Sequence, residues 1–187
     1  LATGPQGTSV ATMLLAGIAI SALAGAATNT LSYLADNDML RRISLWQMGN
    51  LQGASWERVG LGALTAGCLA VLIPRETGAL NAMLLGESEA RHLGVNVEWL
   101  KRRLIIYSAL GVAISVAIAG VIAFVGLMVP HLIRLLVGPD HRSLLPLSAL
   151  AGAILLVAAD ALARVVIAPA ELPVGIVTAL LGAPFFL

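Results

Sequence analysis

Charge is what this sequence has least of. Of its 187 residues, 10 are Asp or Glu and 11 are Lys or Arg, so 11% are charged against 59% hydrophobic. A soluble domain carries roughly 25% charged residues, and a mean hydropathy of +0.94 places the chain among integral membrane proteins. Cysteine occurs once, as Cys68, which excludes an internal disulfide and a thiolate metal cluster and leaves the redox compartment open. The single lysine, Lys101, follows Leu100, so no Gly-Lys-Ser/Thr phosphate loop is present and any nucleotide hydrolysis belongs to another subunit. The three histidines, His92, His131 and His141, lack metal-ligand spacing, and no Ser/His/Asp set converges, so neither a metal centre nor a hydrolytic site is expected. A net charge of +1 argues against nucleic acid as a partner.

What is present is a series of long apolar runs. At about 20 residues per crossing the length accommodates five or six spans. No charge occurs from Leu1 to Ala35, and the first span is expected over Ala11 to Leu34. Met39 to Met48 is helix-compatible and lies in a polar connection whose Trp46 and Trp56 suit a membrane interface. A short second span is expected from Val59 to Ile73, bounded by Arg58 and Pro74-Arg75. Lys101-Arg102-Arg103 reads as a basic stop before helices over Leu104 to Ala119 and Phe124 to Val137, the latter containing Pro130. Gly138 to Arg142 reads as a turn, Leu144 to Val166 as a span, Pro169 to Pro173 as a second turn, and Val174 onward as a last span. The sequence begins without an initiator Met or a basic leader and stops within an apolar run, which predicts a piece of a longer membrane protein.

Between the second and third spans lies Leu84-Leu85-Gly86-Glu87-Ser88-Glu89-Ala90-Arg91-His92-Leu93-Gly94-Val95. A polar stretch between spans cannot lie in hydrocarbon and has to form a loop in water. Its pattern is helical, punctuated by Gly86 and Gly94. Arg75, Arg91, Lys101, Arg102 and Arg103 flank it, and Arg134 and Arg142 flank the Gly138 turn; only Arg41, Arg42, Arg58 and Arg164 remain for the opposite side. The positive-inside rule then puts the polar stretch and the Gly138 turn in the cytoplasm. Asp160 and Arg164 are four apart on one helical face and can pair. They serve either as a structural ion pair or as a contact for an external partner, and Arg41 and Arg42 share that ambiguity. A secondary transporter would need an ion site at mid-membrane, for which Asp160, near a helix end, is the sole candidate.

Three motifs in order carry a resemblance: Leu85 to Val95, Phe124 to Leu135, and Glu171 to Phe186. With Asp140-His141-Arg142 and Ala159 to Arg164, they resemble the FecCD/BtuC-type permeases, the membrane subunits of bacterial ABC importers for iron-siderophores, haem and cobalamin. The resemblance runs over essentially the whole chain. It implies an all-α transmembrane helical bundle, a single permease domain over residues 1–187, with about six spans of a ten-helix subunit. It implies a homodimer in the bacterial inner membrane, with a cytoplasmic ABC ATPase dimer below and a periplasmic substrate-binding protein above. Residues 79–98 would be the coupling segment, with Leu85, Gly86, Glu87, Ser88, Glu89, Ala90, Arg91, His92, Leu93 and Gly94 against the ATPase, where ATP acts. Arg164, and then Arg41 and Arg42, would meet acidic residues of the binding protein, while Ser9, Val10, Ala11 and Thr12 match the place of a cytoplasmic gate. The stretch from Leu31 to Leu51 looks most like haem permeases, so haem is the expected cargo, with no bound cofactor, and ferric siderophore or cobalamin the alternative.

Overall fold

A computed structural model describes residues 3–4, 7–8, 10–51, 53–166 and 172–186, which form two compact units, Leu1–Ser44 and Leu45–Leu187. Both are helical apart from a minimal antiparallel ladder pairing Thr3 with Thr8 and Gly4 with Gly7.

The first unit is dominated by helix α1, Val10–Leu34, whose 25 residues run about 38 Å at 1.5 Å per residue. Three of its polar residues find their partners inside the helix. The hydroxyls of Thr28, Thr30 and Ser32 each donate to the carbonyl four residues back, at 2.9 Å, so they are satisfied within the helix. Asp36 then caps α2, Asn37–Gln47, by accepting from the Met39 amide at 2.8 Å.

The second unit begins within α2. Ser55 caps α3, Trp56–Leu72, accepting from the Arg58 amide. The expected stop at Pro74 does not occur. The chain tightens into a 3₁₀ turn at Ile73–Glu76 and resumes as α4, Thr77–Met83, giving one apolar segment from Trp56 to Met83. Proline is tolerated there because it opens a new turn, where its missing N–H is not needed. Short helix α5, Glu87–His92, leads to α6, Val97–Ala119. Helix α6 starts seven residues before the expected Leu104, because Asn96 accepts from the Trp99 amide at 3.1 Å and caps it. The three basic residues expected to precede the helix are therefore inside its first two turns.

Helix α7, Val125–Val137, α8, His141–Val166, and α9, Val174–Gly182, complete the order, followed by a 3₁₀ turn at Pro184–Phe186. Among the described residues four segments are long and apolar enough to cross a membrane: Thr12–Leu34, Trp56–Met83, Val97–Ala119 and His141–Val166. Helices α7 and α9 fall short of the length of a full crossing. In the second unit α7 packs on α8, α3 on α6, and α8 on α9. Its buried apolar residues form two groups: Ala90, Val97 and Leu100 where α5 meets α6, and Met128, Val129, Leu144, Ala159, Ala163 and Val174, joined by Thr178, between α7, α8 and α9. Leu150, Ile154 and Val157 stay exposed along α8, which is no penalty against lipid tails.

Three backbones converge where α6 gives way to α7. The Trp46 carbonyl accepts from Gly49 and Val121, Asn50 donates to Ala119, and Gly175 donates to Gly49. Gly120, at φ 74° and ψ −166°, lies in a region that only glycine adopts freely. Phe124, at φ 67°, closes a three-residue turn from Ala123 to Val125 and sets the start of α7.

Candidate functional site

The segment from α4 to α6 is built as a rigid projection. Leu84, Leu85 and Gly86 donate back to Asn81, Ala82 and Met83 and end α4 in a tight turn. Gly86, at φ 107°, redirects the chain into α5, and Gly94, at φ 84°, turns it out again. The underside of α5 is pinned by Ala90, which is fully buried, on Val97 and Leu100, 2% and 1% exposed. Its outer rim presents Leu85 and Leu93, 67% and 64% exposed, with Ser88, Glu89 and His92 also open to solvent.

The charges divide into those that hold this projection together and those it offers outward. Glu87 pairs with Lys101 at 2.7 Å and with Arg91 at 4.0 Å, and Arg91 reaches Glu98 at 3.5 Å. Glu76, almost wholly buried, holds Arg103 at 2.9 Å. These acids offset the basic residues in the first turns of α6, a position where cations oppose the helix dipole. Glu89 pairs with no other described residue. Of the two acids read from sequence as partner-facing, Glu87 is thus committed internally and Glu89 remains available.

A second polar cluster ties α4 to the start of α8. Asn81 Nδ2 donates to Asp140 Oδ1 at 2.6 Å, and Asn81 Oδ1 accepts from the His141 backbone N–H at 2.9 Å. That backbone group can only donate, so it fixes the orientation of the amide. His141 Nδ1 lies 2.8 Å from the same oxygen and therefore carries its proton there. Asp140 Oδ1 also accepts from the Arg142 amide at 3.0 Å, capping α8. The Arg142 N–H, and next the Asn81 amide, hold the Asp140 carboxyl below the ordinary aspartate range. Because Asp140 caps it, α8 begins at His141, three residues before the expected Leu144.

At the other end of α8 the expected pair is formed: Arg164 Nε donates to Asp160 Oδ2 at 2.7 Å, with Arg164 exposed. Its two terminal amino groups make no other bond among the described residues. Arg41 and Arg42 lie exposed on α2 and pair with no described residue. Of the gate positions, Ser9 lies outside the described residues, Val10 and Ala11 open α1, and Thr12 is exposed on it. Sequence reasoning missed Asn81, Glu76 and the inward role of Lys101. Asn81 did leave a signal, as a lone amide in the apolar run Ala79 to Leu85.

The profile of the FecCD transport family matches residues 1–187, the whole chain. The chain belongs to the FecCD transport family. Among curated FecCD relatives, the hemin transport system permease protein HmuU of Yersinia pestis is 50% identical over 96% of this chain and 54% of its own length. The vitamin B12 import system permease protein BtuC of Vibrio cholerae is 45% identical over 96% and 54%. The cobalamin import system permease protein BtuC of Halobacterium salinarum is 46% identical over 100% and 50%. The chain thus spans about half the length of the curated relatives it matches. A solved structure described as an inward-facing conformation of a metal-chelate type ABC transporter matches with a TM-score of 0.88 at 37% identity, over 95% of this chain and 58% of that one. The all-helical FecCD fold expected from the sequence is therefore found, with its polar projection between α4 and α6.

Proposed function

We propose that this chain works within the membrane permease of an ABC importer, in a homodimer in the cytoplasmic membrane, and that its cargo is haem. A cytoplasmic ATPase dimer supplies the energy and an external binding protein delivers the cargo. The observation that carries the reading is the α5 projection: a short helix braced on Ala90, Val97 and Leu100, with Leu85, Leu93 and Glu89 turned outward. A short rigid helix with an apolar rim and one available acid suits a groove on a soluble partner, and the chain has no nucleotide-binding loop of its own. At the far end of α8, Asp160 holds Arg164 by Nε, leaving two parallel N–H groups for a carboxylate of the binding protein.

The haem assignment is supported by the 50% identity to the hemin permease and by the Leu31 to Leu51 segment. Cobalamin is the second reading, supported by relatives at 45% and 46% identity. The test is ATP-dependent uptake by the full-length protein, reconstituted in liposomes with its ATPase and binding protein and offered haem, a ferric siderophore or cobalamin. Haem uptake that Glu89→Lys abolishes, with the complex still assembled, is the expected result. Uptake of cobalamin alone would replace the cargo, and uptake without the ATPase would overturn the importer reading.

A further inference from the structure

Helix α8 is gripped at its capped end by a side chain of α4. Asn81, on the helix leading into the projection, holds both Asp140 and His141, 59 and 60 residues further on. From these bonds we infer that Asn81 is a positioning residue that fastens the start of α8 to the coupling segment, so that α4, α5 and α8 move as one body during transport. This rests on the importer reading above.

The geometry supports a mechanical role over a merely local one. A single side chain serves three hydrogen bonds, two accepted by its oxygen and one donated by its nitrogen, all between 2.6 and 2.9 Å. Both partners lie at the first turn of α8, where the bonds fix the helix end rather than a point along its side. Helix α8 has 26 residues and is about 39 Å long, with the Asp160–Arg164 pair about 29–35 Å from its start. Its contact with α4 is the point where a displacement of the projection enters that lever. A stiff helix held at its capped end moves as a unit, whereas one contacted only through apolar side chains can slide. The bonds are also directional, which apolar packing of Leu144 alone is not.

The pair can be inverted at the cost of one amide rotation, and that gives the test its rescue arm. Asn81→Asp sets two carboxylates against each other at hydrogen-bond distance, while Asn81→Asp with Asp140→Asn restores a donor facing an acceptor between residues 81 and 140 once the new amide turns its nitrogen to residue 81 and its oxygen to the Arg142 N–H, two groups that share Asp140 Oδ1 in the parent. The assay uses full-length permease with its ATPase and binding protein in liposomes, reading cargo moved per ATP hydrolysed beside basal ATPase activity. Turning one hydrogen bond into a repulsion is expected to lower cargo per ATP by about tenfold or more. Basal hydrolysis should stay within about twofold, and the double variant should recover part of the loss, since residues 81 and 140 again face each other as donor and acceptor. Asn81→Asp that couples like the parent, or a double variant no better than Asn81→Asp, overturns the inference.

A second arm does not depend on transport. Spin labels at Gly78→Cys on α4 and Leu147→Cys on α8, with Cys68 replaced by Ser, report the separation of the two helices. The distance should be narrow and the same with and without nucleotide in the parent and the double variant, and broad in Asn81→Asp. A parent distance that changes with nucleotide means the helices do not move together, which overturns the inference even where transport is intact. A parent that moves no cargo with ATP while keeping the narrow distance overturns the importer reading instead, and with it the coupling role of the contact.

Discussion

The convergence of three backbones at Gly120 makes a prediction whose parts can be measured separately. An alanine at Gly120 would suffer twice: its backbone, at φ 74° and ψ −166°, is disfavoured for an L-residue, and its Cβ would overlap the Trp46 carbonyl. Gly138 isolates the first effect, since it has φ 85° and ψ −173° with no atom within 4 Å of an added Cβ. Gly175 isolates the second, because its Cβ would overlap the Met48 carbonyl while its backbone is helical. A residue forced into a glycine-only region costs about 1–3 kcal/mol, and overpacking against a fixed neighbour costs about 1–3 kcal/mol or more. Gly138→Ala and Gly175→Ala should each destabilise within those ranges, and Gly120→Ala by about their sum, 2–6 kcal/mol. Gly60→Ala on α3, with open space and helical backbone, should gain up to about 1 kcal/mol. Thermal midpoints of the full-length variants in detergent, followed by size exclusion after heating, give the ranking. Gly120→Ala no less stable than Gly138→Ala would show that the Trp46 carbonyl does not approach Gly120, and the reasoning would fail.

Three further outcomes follow from the charges. Glu87→Lys should lower the thermal midpoint, by about 1 kcal/mol in free energy, because it places a cation against Lys101 and Arg91; Glu89→Lys should leave the midpoint unchanged and lower only ATP-coupled uptake. Glu76→Ala should destabilise by about 1–2 kcal/mol in denaturant titration, less than a fully buried pair, since Arg103 is partly exposed and can rehydrate. Asp140 has a depressed carboxyl, so its stabilising contribution is present above the unfolded value of about 3.9 and is lost only as pH falls below it. The midpoints of the parent and Asp140→Asn should therefore run parallel above about pH 7.5, where the neighbouring His141 is neutral, and converge in strong acid.

Much of the fold was legible because lipid leaves few alternatives: an apolar run has to be helical, and the polar breaks between runs have to face water or protein. Val10–Leu34 and Val125–Val137 each start within one residue of their expected places for that reason. The misplaced boundaries all involve polar side chains acting locally. Asn96 and Asp140 pull the starts of α6 and α8 outward by capping, and Pro74 passes through a 3₁₀ turn instead of ending a helix. The projection itself was visible as a charged, glycine-bounded stretch, but the division of labour between Glu87 and Glu89 was not. That depends on Lys101 lying fourteen residues away and one helix over, a pairing no local pattern encodes.

The arrangement of bonds also says where this unit should yield and where it should not. From Glu76 to Arg103 the chain is laced by four close ion pairs and seated on three buried apolar residues. Singly, exposed pairs of this kind contribute little, but here they join two short elements, the Ile73–Glu76 turn and α5, to the long helix α6. Helix α5 alone, at six residues, is too short to persist in water; it is helical because Ala90 is buried and Glu87 is tied to α6. On the proposed importer reading this element receives force and has to keep its shape under load, and lacing by directional bonds supplies that where apolar area is scarce. The exposed apolar faces of α3 and α8, by contrast, carry leucine, isoleucine and valine and few groups able to fix a register. On that reading the laced projection is where the chain should keep its shape, and the bond-poor apolar faces are where it should yield.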